Sequence, residues 1–187
     1  MESHRQEVRE AILDAAGVLV ASRGLLAVSM SQLAETAGIG RATLYKYFGD
    51  VEEVLAAWHA GQVAAHLAEL AALADGPGTA AARLRSVLEA YALICQQRTK
   101  HGGEVATALH RAAEVGRQQR QLQDLVAGLI TESKASGAVR TKVPADELAS
   151  FCLHALAAAG DSNTAASLNG LVDIVWAGLT SIEAQDG

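Results

Sequence analysis

Cysteine, proline and aromatic residues are scarce in this sequence. Only Cys95 and Cys152 are present among 187 residues, which argues against a secreted scaffold held by disulfides. Two prolines, Pro77 and Pro144, leave long stretches without a helix breaker. Charged residues make up 19%, too few for a disordered chain, and half of all residues are hydrophobic, ample for a core. The apolar residues are dispersed, and no run approaches the ~18–20 that a membrane helix needs. No membrane association is therefore expected. The opening ESHRQEVRE reads as neither a signal nor a transit peptide, and a cytoplasmic location is expected. A net charge of −6 speaks against non-specific coating of nucleic acid, but it leaves room for a local basic face. No Walker loop, dinucleotide fingerprint or Gly-x-Ser-x-Gly elbow is found, so no catalytic residue is assigned. The histidines and cysteines form no compact cluster at ligand spacing, so no metal or cofactor is expected.

What remains is alanine-rich sequence with helical periodicity. Val8, Ile12, Ala15, Ala16 and Leu19 recur at spacings of three and four and predict a first helix over Gln6–Ser22, stopped by Gly24 in a left-handed conformation. Val51, Val54, Leu55, Trp58, Val63, Leu67 and Leu70 predict a long helix ending near Asp75-Gly76-Pro77-Gly78. Helices then follow around Leu84–Cys95, around Val105–Leu109 with Gly116 near its end, and around Leu122–Ile130, ended by Gly137. A further helix opens at Pro144 and runs to about Ala159, a loop covers Gly160–Asn163, and a last helix covers Leu168–Ile182. With the two helices considered next, the pattern predicts an all-α protein of about nine helices.

Residues 29–50 are the informative segment. Ser29 followed by Gln32 fits a capping box and marks a helix start. Gly38 permits a positive φ in the following turn, and Leu44 and Phe48 sit four apart on a second short helix. Two short helices around a glycine turn make a helix-turn-helix. Ala34 and Ala37 are small enough for its helices to cross closely. The other face of the second helix carries Arg41, Thr43, Tyr45, Lys46 and Tyr47, with no acid before Asp50. Two cations, a hydroxyl and two phenols suit phosphate oxygens and base edges in a major groove. Free N–H groups at the start of that helix are expected to add a dipole that favours phosphate.

At these residues the sequence resembles the TetR family of transcriptional regulators. The elements that carry the resemblance are Ser29-x-x-x-Leu33-Ala34-x-x-Ala37-Gly38-Ile39, Thr43-Leu44-Tyr45-Lys46-Tyr47-Phe48 and Glu52-Glu53-Val54-Leu55. The resemblance covers roughly residues 8–58. It implies a three-helix DNA-binding domain over residues 1–50 and a helical effector-binding and dimerisation domain over 51–187. It also implies that Thr43 and Tyr47 hold phosphates, that Arg41, Tyr45 and Lys46 reach bases or nearby backbone, and that Ser29 and Ser31 bind another phosphate. The sequence departs from the family pattern at two positions. Val51 stands where many relatives carry lysine, which removes a phosphate contact and makes the salt slope of binding shallower by ~0.9. Gly40 replaces a common serine, so the second motif helix lacks a side-chain cap.

Residues 145–159 read ADELASFCLHALAAA and are apolar almost all round after the first turn. Such a helix must be covered on both sides, which points to a homodimer through the last two helices. For a small-molecule effector the candidates are Tyr91, Cys95, His101, His110, Leu125, Leu129, Phe151 and His154, each of which also reads as core. The expected function is that of a ligand-responsive regulator, a repressor, which binds a double-stranded palindromic operator as a dimer. The alternative is a helical small-molecule-binding or protein-interaction module whose helix-turn-helix is vestigial.

Overall fold

The structure is a computed structural model that describes residues 2–100, 112–161 and 164–180. Among these residues it contains eight α-helices, two short 3₁₀ turns and no strand. The helices are α1 (Glu2–Arg23), α2 (Met30–Thr36), α3 (Arg41–Leu44), α4 (Val51–Ala74), α5 (Ala80–Lys100), α6 (Ala112–Ala135), α7 (Ala145–Ala157) and α8 (Ala165–Thr180). The all-helical expectation therefore holds. The short helix expected around Val105–Leu109 lies outside the described residues.

The chain divides into two compact units. The first includes residues 2–64, thus the N-terminal part of α4 as well as what precedes it. The second includes residues 65–100, 112–161 and 164–180.

In the N-terminal unit α1 starts earlier than its apolar stripe suggests. Its exposed first turns are tied by Ser3 Oγ donating to Glu7 (3.0 Å) and Gln6 Nε2 donating to Glu10 (2.8 Å), pairs one helical turn apart. Ile12, Ala15, Ala16, Leu19 and Val20 form its buried stripe. Gly24 ends the helix with φ 80° and ψ 160°, an extended mirror-image conformation open to glycine rather than the left-handed helical one expected. Leu33, Ala34, Leu44, Phe48, Val54 and Leu55 from α2, α3, the turn after α3 and α4 complete one core with that stripe.

In the second unit Leu84, Val87, Leu88, Val126, Ile130, Leu156, Val172 and Leu179 are among the most deeply buried side chains. Ion pairs brace the helices at the surface. Arg83 meets Glu132 at 2.6 Å and donates to the Ala74 carbonyl at 2.5 Å, the C-terminal end of α4. Arg85 meets Asp173 at 2.6 Å and Glu89 at 2.9 Å, and lies over the Trp176 ring. Helix α6 runs straight through Gly116, where a break was expected. One interior glycine costs a helix only ~1 kcal/mol, less than neighbouring turns can supply. The helix ends at Gly137, at φ 74°, where Ala138 N–H bonds to Ser133 O and Gly137 N–H to Lys134 O. Pro144 occupies the N-cap position of α7, just before its first turn, without a side-chain cap. Gly160 and Asp161, expected in a loop, belong to the 3₁₀ turn Ala158–Asp161 that extends α7.

Cys152 is fully buried in this core, and burial pushes its thiol up to about 11 from an ordinary 9.0. The folded chain holds that proton more tightly than the unfolded one. The stabilisation is complete below pH 9.0 and is lost as pH rises towards about 11. Urea midpoints of the wild type should therefore fall more steeply through that window than those of Cys152→Ala; parallel curves would remove the burial argument.

Candidate nucleic-acid interface

The helix-turn-helix is built by local chemistry. Ser29 closes the capping box: Gln32 N–H donates to Ser29 Oγ (3.5 Å), and Ser29 N–H (3.0 Å) and Oγ (2.8 Å) both donate to Gln32 Oε1. At the other end of α2, Gly38 takes φ 67°. Its N–H bonds to Glu35 O (3.2 Å) while Ile39 N–H bonds to Ala34 O (3.0 Å), the two bonds of a Schellman end. Ile39 turns back onto the core that holds Ala34. This reversal sets the direction in which the next segment leaves.

That segment is less regular than expected. Helix α3 has four residues, Arg41–Leu44, and no side chain caps it at Gly40. Beyond Leu44 the backbone tightens: Lys46 N–H bonds to Thr43 O (3.0 Å) and Tyr47 N–H to Leu44 O (2.9 Å). A single turn aligns too few peptides for the helix dipole expected there. Leu44 and Phe48 anchor the segment in the core. Arg41 and Lys46 are exposed, Tyr45 is 49% exposed, and Thr43 is half-buried.

Tyr47 is half-buried and packs against the edge of the core. Its ring also forms a wall of an open depression of about 560 Å³ whose other walls are Ser3, Arg5, Gln6 and Arg9 of α1. Arg9 lies over the Phe48 ring, 5.5 Å from its centroid. These α1 residues were not among the candidates expected from the sequence. The signal available was Arg5 and Arg9 at i, i+4, but nothing local joined them to Tyr47.

Ser29 and Ser31 are both exposed at the start of α2. The Ser29 hydroxyl is committed to the cap, whereas Ser31 lies two residues further on, in the first turn of α2. Asp50, the first acid after Lys46, accepts from Glu53 N–H (2.8 Å), and Glu53 accepts from Gly49 N–H (2.7 Å). The Asp50-x-x-Glu53 spacing thus starts α4 with a reciprocal cap and turns both carboxylates to that task. Val51 is half-buried and packs on the core, as an apolar residue at that position should.

The effector candidates are scattered. Cys95 and Leu129 are buried in the second unit, and Tyr91 and Leu125 pack against the same cluster. Phe151 and His154 are exposed on α7 and do not join them. His101 and His110 lie outside the described residues. Among the described residues no helix is long and apolar enough to cross a membrane.

The family model for bacterial regulatory proteins, tetR family, matches residues 12–58, the segment just described. The HTH-type transcriptional regulator BetI of Rhizobium meliloti (strain 1021) is 45% identical over 49 residues, which is 26% of this chain and 24% of BetI. The match thus spans about a quarter of that relative. Solved structures extend the likeness of fold along the chain. A transcriptional regulator of the TetR/AcrR family from Thermobifida fusca YX-ER1 superposes with a TM-score of 0.78 at 21% identity, covering 91% of this chain and 97% of that one. The regulator FadR from Bacillus subtilis, in complex with stearoyl-CoA, does so with 0.67 at 17% identity, covering 93% and 99%. By its helix-turn-helix region, the chain is thus similar to the TetR family of bacterial regulatory proteins, and along its length it shares the fold of solved regulators.

Proposed function

We propose that the chain is a ligand-responsive transcriptional repressor that acts in the cytoplasm, binds a palindromic operator as a homodimer and carries out no catalysis. The observation that supports this best is the exposure of Arg41, Tyr45 and Lys46 on a segment whose Leu44 and Phe48 are anchored in the core. A rigid mount with cationic and phenolic tips is what base edges and flanking phosphates require. In this reading residues 1–50 provide the DNA contacts and residues 51–187 the effector and subunit contacts. Thr43 and Tyr47 hold phosphates, with Ser31 and, where its cap allows, Ser29 at a second position.

Phe151 and Ile174 are 59% and 71% exposed on α7 and α8, which supports pairing of subunits through these two helices. Phe151 and His154 then fit the subunit surface better than an effector pocket. Tyr91, Cys95, Leu125 and Leu129, with His101 and His110, stay as the effector candidates. FadR of Bacillus subtilis, of the same fold, was solved in complex with stearoyl-CoA, which supports a small-molecule effector for this chain. Such an effector shifts the dimer only by its differential affinity for the DNA-competent and incompetent states. A two-fold dimer reads half-sites about 34–36 Å apart, or a multiple of that.

The test is selection of genomic DNA fragments on the purified protein at two salt concentrations. A shared palindrome is the expected outcome. Recovery of nothing by a folded dimer would overturn the proposal. On the recovered site Arg41→Ala should cost ~1–3 kcal/mol and relax specificity at one base position. Equal loss on every sequence would make Arg41 a phosphate contact.

A further inference from the structure

We propose that Arg5 and Arg9 of α1 form, with Tyr47, a second phosphate-binding wall beside the recognition segment, and that this wall takes a phosphodiester of the duplex flanking the groove. The inference rests on the DNA-binding reading above and adds α1 to it.

Three observations carry it. First, the depression beside Tyr47 is lined by Ser3, Arg5, Gln6 and Arg9, so two arginines share its walls with a tyrosine from another part of the chain. Guanidinium presents its N–H donors in a fork that matches phosphate oxygens. Second, the α1 acids nearest in sequence do not line it. Glu7 is engaged by Ser3 (3.0 Å) and His4 (3.6 Å), and Glu10 by Gln6 (2.8 Å). Third, Arg9 is held in place before any ligand arrives, because its guanidinium lies 5.5 Å from the centre of the buried Phe48 ring. Phe48 follows Tyr47 directly, so the same residue pair fixes the phenol and the cation. Holding a long side chain in advance lowers the entropy cost of binding. The location also matters physically. Val51 packs on the core and brings no charge to the start of α4, so cations for the backbone flanking the groove must come from elsewhere in the unit.

The experiment measures affinity against salt for a duplex recovered by selection from a random-sequence pool, and for a scrambled duplex of equal length. Arg5→Gln and Arg9→Gln should each lower the steepness of log K against log salt by ~0.9. Raising salt from about 50 to about 200 mM should then cost each variant ~3.5-fold less affinity than it costs the wild type. The low-salt loss should be equal on both duplexes, and Arg9→Lys, which keeps the charge, should retain the wild-type slope. Arg5 is exposed, so Arg5→Gln carries the test if Arg9→Gln lowers the thermal midpoint. Wild-type slopes in folded Arg5→Gln, or a loss confined to the selected duplex, would overturn the α1 wall while leaving DNA binding in place. Absence of salt-dependent binding by the wild type would overturn both.

Discussion

Phe48→Ala should unfold the helix-turn-helix at a cost of about 3–5 kcal/mol, the range for removing a buried aromatic ring. Phe48 is 4% exposed and packs with Leu44, Leu33, Ile12 and Val54 in the only core the N-terminal unit has among its described residues. Against a typical domain stability of about 5–15 kcal/mol, such a loss leaves little or nothing. The ring also carries Arg9 on its face, so the change frees that cation as well. Two tryptophans make the effect measurable. Trp58 packs at the edge of the N-terminal core and Trp176 at the edge of the other. In a Trp176→Phe background, fluorescence reports the N-terminal unit alone. The urea midpoint of Trp58 should collapse in Phe48→Ala, and DNA binding should vanish with it. A loss below ~1 kcal/mol would mean that the ring does not anchor the segment.

Ile174→Asp should convert the proposed dimer to monomer without unfolding the chain. On α8 the buried stripe is Leu168, Val172, Val175 and Leu179, and Ile174 points away from it. An exposed isoleucine contributes little to the fold of one subunit. If it is covered by a partner, its burial is worth roughly 1.5–3 kcal/mol. A two-fold interface uses the same patch on both subunits, so one substitution is felt twice, about 3–6 kcal/mol. That is roughly two to four orders of magnitude in the dimer dissociation constant. Sedimentation velocity at micromolar concentration should show half the wild-type mass, with an unchanged circular dichroism spectrum. Operator affinity should fall in parallel, because two half-sites are no longer bound by one particle. An unchanged mass in Ile174→Asp, or a monomeric wild type, would remove the α7–α8 interface from the reading.

Much of the helix-turn-helix was legible in the amino-acid sequence because its determinants act within a turn or two of chain. The capping box links Ser29 to Gln32, and the Schellman end links Ala34, Glu35, Gly38 and Ile39. Leu44 and Phe48, four apart, read as an anchored face and are one. The Asp50–Glu53 cap was equally local and could have been found by its spacing. Gly116 shows the limit of such signals, since one glycine has too small an effect to end a helix whose neighbouring turns continue it.

The facing of side chains was decided by tertiary packing. Alanine counts as apolar on every side of a helix, so the periodicity of residues 145–159 does not say which side meets the core. Cys152 and Leu156 are buried on α7, whereas Phe151 and His154 are exposed between them. The convergence of Arg5 and Arg9 with Tyr47 is likewise invisible in the sequence, because it joins residues some forty positions apart. Sequence alone thus determined the helical class, the capped ends of the helix-turn-helix and the family resemblance, which rest on contacts between near neighbours. Only the fold determined which cations meet which phenol and which apolar residues remain uncovered, because those depend on how separate helices pack around a shared core.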